Sequence, residues 1–545
     1  MKILGISGGF RQGYQDVSAT LVIDGKVIVA AEEERFNRIK FSPGKLPILA
    51  VKSILEFAQL EMKDIDVLAF HGSTWGDDID EKIREFYQGN FGYCPPIEKH
   101  HHHDCHAAST YFASGFDESL IITADNSGDG ISLQIGIGKK GNFEVIERFS
   151  RPNSFGLFYQ MITQICGFTK DSDEYKVMGL SSWGDRTKYD FSDVLFFENG
   201  AIQLNQKFIK VPKPGEPSLH KDELAYTSLF EEKIKLKRRT NQSIITEDYK
   251  NLAASAQQRL EDVFCEIALF YLEKFKLDKI CLAGGVALNC VLNQRLLNLD
   301  VVADLFVQPA SSDAGISLGA AWLSSMNRGV EPIKTQNTYL GLEYSSKVVE
   351  NILVNCGVSY TKTENPAKEA ALLIAEGKVI GWFQGRSEFG PRALGNRSIL
   401  ASPSIKGMQL FVNQKIKFRE SFRPFAPSIL EQDMTLYFEG KSTVSPHMTV
   451  TFNATDFTKE SIPEVIHVDK TSRIQTVNNN DNPLYFELLS ELKKITGHGV
   501  VMNTSFNLSH EPIVETPRDA IASFFASGLD VLFLGDFKIE KKFRS

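Results

Sequence analysis

Two stretches of the chain open on the same pattern, and no other feature restricts the fold as much. KILGIS, SATLVIDG and KVIVAAEEERF are apolar, strand-like runs in succession, the last two meeting at Asp24-Gly25. SLIITADNSGDG and SLQIGIGKKGNFEVIERF form a second such cluster with Gly-rich turns. Short apolar runs punctuated by Gly and Asp read as strands joined by tight turns, and consecutive strands of this kind begin an α/β domain. Residues 250–274 have a helical pattern and lead into DKICLAGGVALN, a buried strand followed by a Gly turn and a helix start. Two strand-rich halves thus share roughly the first 330 residues. A distant duplication of the two is conceivable, though the residues do not demonstrate it.

With 545 residues, the chain exceeds the size at which one core usually divides, so two or three domains are expected. The pattern loosens over NRGVEPIKTQNTYLG, and a new αβ rhythm starts at PAKEAALLIAEGKVIGWFQG. The boundary expected there separates residues 1–340 from 341–545.

Sixty basic and 68 acidic side chains, spread evenly, leave a net charge of −8. That balance argues against a dedicated polyanion binder and hence against a large nucleic-acid partner. The start, MKILGISGGF, has none of the parts of a secretion signal, and no apolar run reaches the roughly 18 residues of a membrane span. A cytoplasmic protein is the expectation. The seven cysteines are scattered without a C-x-x-C pair, which argues against a disulfide framework or a zinc ribbon.

KHHHHDCHAAS holds five histidines, and spacing selects among them. His102 and His106 stand four apart, on one helical face, where two imidazoles can hold one ion. His103 and His106, three apart, are a less obvious pair. Asp125 follows the apolar run SLIITA, and Asp313 follows VVADLFVQPA, both beside glycines. Carboxylates at such strand ends suit an ion or phosphate-bound metal, although each alone could cap a helix. Mixed imidazole and carboxylate ligands suit iron, manganese or zinc. Gly128 and Gly130, Gly284 and Gly285 in AGGVALN, and Gly315 sit at turns after strands, where backbone amides could face phosphates. A nucleotide cleft between lobes is the expectation they raise.

Residues 381–430 are the densest run of unusual sequence: GWFQGRSEFGPRALGNRSILASP, then NQKIKFRESFRPFAPSIL. Arg386, Arg392 and Arg397 stand among glycines and aromatics, followed by Lys415, Lys417, Arg419 and Arg423. So many cations would repel unless an anion or solvent lies among them, and the interleaved Phe and Pro imply burial. Arg473 in SRIQTV, and Asn503, Thr504, Ser505 and Asn507 on an expected strand-to-loop edge, extend a phosphate or carboxylate pocket.

AAEEERFNRIK, HHDCHAAS, EYKVMGL, GGVALN, SSDAG, GWFQGRSEFGPRALGNRSIL, FRPFAPS, RIQTV and NTSFN with EPIV carry a resemblance over essentially the whole chain. It resembles the NodU/CmcH-type O-carbamoyltransferases of nodulation-factor and antibiotic biosynthesis. The resemblance implies an α/β protein: a two-lobed N-terminal domain like the tRNA threonylcarbamoyl-transfer protein, of the actin/sugar-kinase/chaperone-ATPase superfamily, then a YrdC-like α/β domain. It implies that ATP and carbamoyl phosphate give carbamoyl-adenylate at the YrdC-like site, and that the group then passes to an acceptor hydroxyl at the metal site of the first domain. The implied metal ligands are His102, His106, Asp125 and Asp313, with Fe(II) the expected ion and Mn or Zn as alternatives. The implied activating residues are Arg392, Lys417 and Arg423, with Arg473, Asn503 and Ser505 in the same pocket; Gly128, Gly284, Gly285 and Asn289 join the nucleotide and substrate set. Magnesium is expected with ATP. The acceptor would be a small molecule or a glycan, and a homodimer is admissible.

One departure matters. The family usually has His-Asp before its second strand, whereas this chain has Gln15-Asp16. A glutamine cannot deprotonate a hydroxyl, which leaves Asp16 as the substitute base, or an acceptor that needs only orientation. The alternatives are carbamoylation of a nucleotide or nucleic acid, and a non-catalytic nucleotide-binding protein keeping the fold. A HypF-type maturation factor would bring an acylphosphatase domain and Cys-rich zinc fingers, which this sequence lacks, and a sugar kinase would leave the His pair unexplained.

Overall fold

The computed structural model describes residues 1–10, 15–76, 78–210, 223–240, 243–420 and 422–541. They fall into two compact units, one of Met1–Phe70, Asp77–Glu98 and Asp313–Ser545, the other of His71–Gly76 and Lys99–Ser312. No helix among the described residues is long and apolar enough to cross a membrane.

The opening runs form β1 (Lys2–Ser7), β2 (Ser18–Ile23) and β3 (Lys26–Glu32), an antiparallel meander. With β4 (Val67–His71), parallel to β1, and β5 (Ile97–His100) they make a sheet of order β3-β2-β1-β4-β5. β1 and β2 are buried along almost their whole length, which explains their continuous apolar runs. Helix Ile316–Met326 lies on them, and its small residues permit a close approach. A Cβ on Gly5 would collide with the carbonyl of Ser317. Ser18 Oγ donates to Ala314 O at 2.6 Å and to Ser317 Oγ at 2.8 Å, so the polar groups at this dry contact satisfy one another.

The second unit repeats the plan. β6 (Glu118–Gly128), β7 (Ile131–Lys139) and β8 (Asn142–Ser150) form another antiparallel meander. β9 (Lys279–Ala283) lies parallel to β6 and β10 (Asp304–Val307) parallel to β9, giving the order β8-β7-β6-β9-β10. This matches the first sheet strand for strand, so the duplication left open by the residues is present in the topology. The α/β class agrees with expectation, and the two sheets share one strand order. Between Ala124 and Gly128 the ladder of β6 with β7 shifts register, and Asp125 stands in that irregular stretch. A bulge of this kind re-aims a side chain that a regular strand would have pointed elsewhere.

The rest of the first unit is built on an eight-stranded sheet. Its strands are β11 (Thr361–Lys362), β12 (Ile380–Phe383), β13 (Arg397–Ala401), β14 (Ala426–Leu430), β15 (Gln475–Val477), β16 (Val500–Ser505), β17 (Val531–Leu534) and β18 (Phe537–Glu540). The order is β11-β18-β17-β12-β13-β16-β14-β15. Helices Pro366–Ala375 and Pro483–Thr496 pack on each other over Trp382, Leu400, Val501 and Phe533. Both begin with Asn as cap and Pro at the first helical position, where the missing N–H costs nothing.

Candidate functional site

The histidine run resolves into distinct roles. His102 and His106 lie on the first turns of helix His102–Ser114, with ring centroids 4.8 Å apart. The helix start is fixed from outside: Asp129 accepts the N–H of His102 at 2.9 Å, and its other oxygen accepts the hydroxyl of Thr74 at 2.8 Å. His101 caps the same turn by accepting the N–H of His103 at 3.2 Å. The ring of His103 faces Thr123 Oγ1 at 2.6 Å and Ile131 O at 3.0 Å. Burial, and then the neighbouring His102 and His106, keep its pKa well below the usual histidine value. His103 is therefore a neutral structural residue, and the four-residue spacing identifies the pair that converges.

Asp125 Oδ2 lies 3.7 Å from His102 Nε2 and 3.3 Å from His106 Nε2. Asp313, at the point where the chain leaves the second unit, completes a group whose ligand atoms lie within 4.8 Å of one another. Burial disfavours ionisation of Asp125, but the facing imidazoles outweigh it and hold the carboxyl well below its usual range. Asp125 Oδ2 is buried and takes no hydrogen bond, an arrangement that a cation would satisfy. Two imidazoles and two carboxylates fit iron, manganese or zinc on donor chemistry.

Of the glycines read as phosphate turns, Gly128 and Gly285 have these residues as their immediate neighbours, whereas Gly130 faces open space. A Cβ on Gly128 would overlap the His102 ring, and one on Gly285 would lie 3.1 Å from Asp125 Oδ1. Gly284, at φ +90°, leaves no room for a side chain beside the backbone of Ala124. Asn289 caps helix Cys290–Leu297 and exchanges hydrogen bonds with Gln257 at 2.9 and 3.1 Å. Gln257 also accepts from Tyr159 Oη at 2.7 Å and donates to Glu261 at 2.9 Å. This buried network went unread in the sequence; the signal was Gln257 within the small-residue run AASAQQ of helix Glu247–Phe275.

The residues expected to activate the carbamoyl group lie in the first unit. Asn503 and Ser505 occupy β16, between β13 and β14. Lys417 ends the turn Asn413–Lys417 and donates to Ser505 O at 2.8 Å, Asn507 O at 2.9 Å and Asn507 Oδ1. Burial first, and then the charges of Arg419, Arg423 and Lys40, push its pKa well below the usual lysine value. Arg423 is placed by its carbonyl, which accepts from Asn413 Nδ2 at 3.2 Å. Asn503 Nδ2 donates to Ala393 O at 3.1 Å, tying down the residue after Arg392. Gln475, two residues after Arg473, accepts from Ser428 at 2.7 Å and donates to Leu394 O at 2.7 Å. The segments bearing Arg392, Arg473 and Asn503 are thus knitted together. Asp16 precedes β2, at φ 55°, its N–H on Phe41 O at 2.9 Å.

Two of the clustered arginines are taken up by backbone carbonyls. Arg397 is fully buried, donates to the carbonyls of Gln384, Asn396 and Leu342, and stacks on Phe383 at 3.6 Å. Arg386 donates to the carbonyls of Gly341, Ile28 and Leu340. Backbone carbonyls were the partner that the residue pattern did not reveal.

Residues 90–322 match the family described as carbamoyltransferase N-terminus, and residues 371–541 match carbamoyltransferase C-terminus. Nodulation protein NolNO of Sinorhizobium fredii (strain NBRC 101917 / NGR234) is 35% identical over 99% of this chain and 83% of its own length. A 3'-hydroxymethylcephem-O-carbamoyltransferase of Amycolatopsis lactamdurans is 26% identical over 97% of this chain and 98% of its own. Among solved structures, full-length HypF in its phosphate- and nucleotide-bound form aligns at a TM-score of 0.34 and 14% identity, over 60% of this chain and 46% of that one.

Proposed function

The chain belongs to the carbamoyltransferase family, and on that footing we propose that it activates a carbamoyl group with ATP in residues 341–545 and transfers it to a hydroxyl within residues 1–340. The observation that carries this reading is the coexistence of two chemically different sites. One is the group His102, His106, Asp125 and Asp313; the other is the buried Lys417 with Ser505, within the field of Arg419 and Arg423.

In the first step, water releases orthophosphate from carbamoyl phosphate, the carbamate oxygen attacks the α-phosphorus of ATP, and pyrophosphate leaves. Carbamoyl-adenylate is the product. Two anions must be held together against their repulsion, and the cations Lys417, Arg423, Arg392 and Arg473 serve that purpose, with magnesium on the ATP phosphates. In the second step the acceptor oxygen attacks the carbamoyl carbon, AMP leaves, and the hydroxyl proton passes to a base. Asp16 is the candidate base in this chain, because Gln15 cannot accept a proton. Its backbone sits at φ 55° with its N–H on Phe41 O.

A divalent ion, Fe(II) foremost, would be held by His102, His106, Asp125 and Asp313, and when bound supplies positive charge that polarises a carbonyl or phosphoryl oxygen. Asp129 and Gly128 keep the His102 end of that group in place. A hydroxyl acceptor on a small molecule agrees with the hydroxymethylcephem that the Amycolatopsis lactamdurans relative is named for, and a glycan would offer the same group.

The test is pyrophosphate release from the metal-replete protein. Release requiring both ATP and carbamoyl phosphate is expected, followed by transfer of label from carbamoyl phosphate into a host small-molecule fraction. A preparation that binds neither ligand would overturn the assignment.

A further inference from the structure

The motif AAEEERFNRIK buries three charged residues, Glu32, Glu33 and Arg35, for which neither site accounts. Arg35 is 2% exposed and Glu32 7%. They pair through Nε and Oε2 at 3.3 Å and through Nη2 and Oε1 at 3.3 Å. Both partners then turn to the same residue: Glu32 Oε1 accepts the N–H of Gly390 at 2.6 Å, and Arg35 Nη2 donates to Gly390 O at 2.7 Å. Arg35 Nη1 also lies 3.8 Å from Glu515 Oε2. Three residues on, Arg38 donates to Ile513 O at 2.7 Å and Pro512 O at 2.8 Å.

Gly390 is followed by Pro391 and Arg392. The ion pair holds both polar backbone groups of Gly390, and Pro391 fixes its own φ, so little freedom remains before Arg392. Beyond Arg392, Ala393 O is taken by Asn503 and the N–H of Leu394 by Glu388 at 2.6 Å. A buried ion pair contributes little net stability, and its better-attested use is to specify one arrangement.

We propose that Glu32 and Arg35 are positioning residues for Arg392, so that the turn after β3 is a working part of the carbamoyl-activating site. The inference rests on the function proposed above. Arg35 touches no reacting atom; it acts through Gly390. Arg35→Met removes the guanidinium that holds Gly390 O, and Arg35→Lys keeps the charge without the fork that serves Glu32 and Gly390 together. Glu32→Gln keeps an acceptor for Gly390 N–H and weakens only the ion pair.

The experiment measures pyrophosphate release in the full-length protein, with KM for carbamoyl phosphate, KM for ATP and kcat determined separately. Arg35→Met should raise KM for carbamoyl phosphate about tenfold or more with a smaller change for ATP, Arg35→Lys should fall between it and wild type, and Glu32→Gln should be mildest. Should Arg35→Met fail to fold, the double variant Glu32→Gln/Arg35→Met removes both charges together and should show the same KM shift. Unchanged KM values with a lower kcat in every variant would assign a purely structural role and overturn the inference. Arg392→Lys separates the two levels: wild-type protein without carbamoyl-phosphate-dependent release defeats the functional reading itself, whereas a KM effect at Arg392 with none at Arg35 defeats this inference alone.

Discussion

The ring of His102 packs on the α-carbon of Gly128 with no space for a methyl group between them. Gly128→Ala should therefore force the ring to turn and carry its Nε2 away from Asp125. Metal retained after dialysis against a fixed free concentration should fall about tenfold or more, while circular dichroism stays that of the wild type. Full occupancy in the variant would show that the ring has another way to reach the same point.

Removing the metal should separate the two half-reactions. After chelation and restoration of magnesium, carbamoylated product should disappear while pyrophosphate release stays within about twofold of the untreated enzyme. Asp313→Asn should behave the same way. Loss of pyrophosphate release under these conditions would mean that the His/Asp group takes part in activation.

Lys417→Met should lower pyrophosphate release about 100-fold or more, because a cation of the proposed activating site is gone. Its thermal midpoint should fall as well, since the carbonyls of Ser505 and Asn507 lose their buried donor, so the two proteins are compared at a temperature where both are folded. A bound anion should raise the lysine pKa back towards its ordinary value, so binding takes up a proton at pH values between the free and bound pKa. Calorimetry of carbamoyl phosphate binding in two buffers of different ionisation enthalpy reads that uptake directly; identical heats would contradict it.

Glu33 should make stability depend on pH. Its carboxyl is pushed from an ordinary 4.5 up to about 7 by burial, which the Ala50 and Leu49 amides, Lys45 and Asn37 only partly offset. Between these values the folded protein holds a proton that the unfolded chain has lost. The contribution is thus present below pH 4.5 and is lost as pH rises through about 7. Relative to Glu33→Gln, the wild type should lose about 2 to 3 kcal/mol between pH 5 and pH 8. Thermal unfolding of both proteins at the two pH values checks this, and parallel curves would refute it.

The meanders β1–β3 and β6–β8 were legible because each strand is an apolar run closed by Gly or Asp, a purely local signal. Their common strand order was not, since β4 and β9 join the central strands β1 and β6 only after long crossovers. His102 and His106 could be chosen by helical spacing alone. Asp125 needed its sequence setting, and its aim depends on a bulge that no alternation pattern predicts. Within GRSEFGPRALGNRS the arginines could not be ranked, because a loop has no periodicity to say which side chains turn inward. Arg386 and Arg397 prove to serve carbonyl groups. Gln257 was hidden because its partners Tyr159 and Asn289 are distant in sequence and on other elements.

Glu388 takes the N–H groups of Leu394, Asn396 and Arg397 on a single carboxylate oxygen. A loop tied in this way loses its conformational entropy when the chain folds, leaving little to be lost when a ligand arrives. The pocket then discriminates as a rigid mould does. A small phosphate of the wrong shape gains nothing from loop closure, and the heat-capacity change on binding should be that of the ligand's own surface rather than of a segment coming to order.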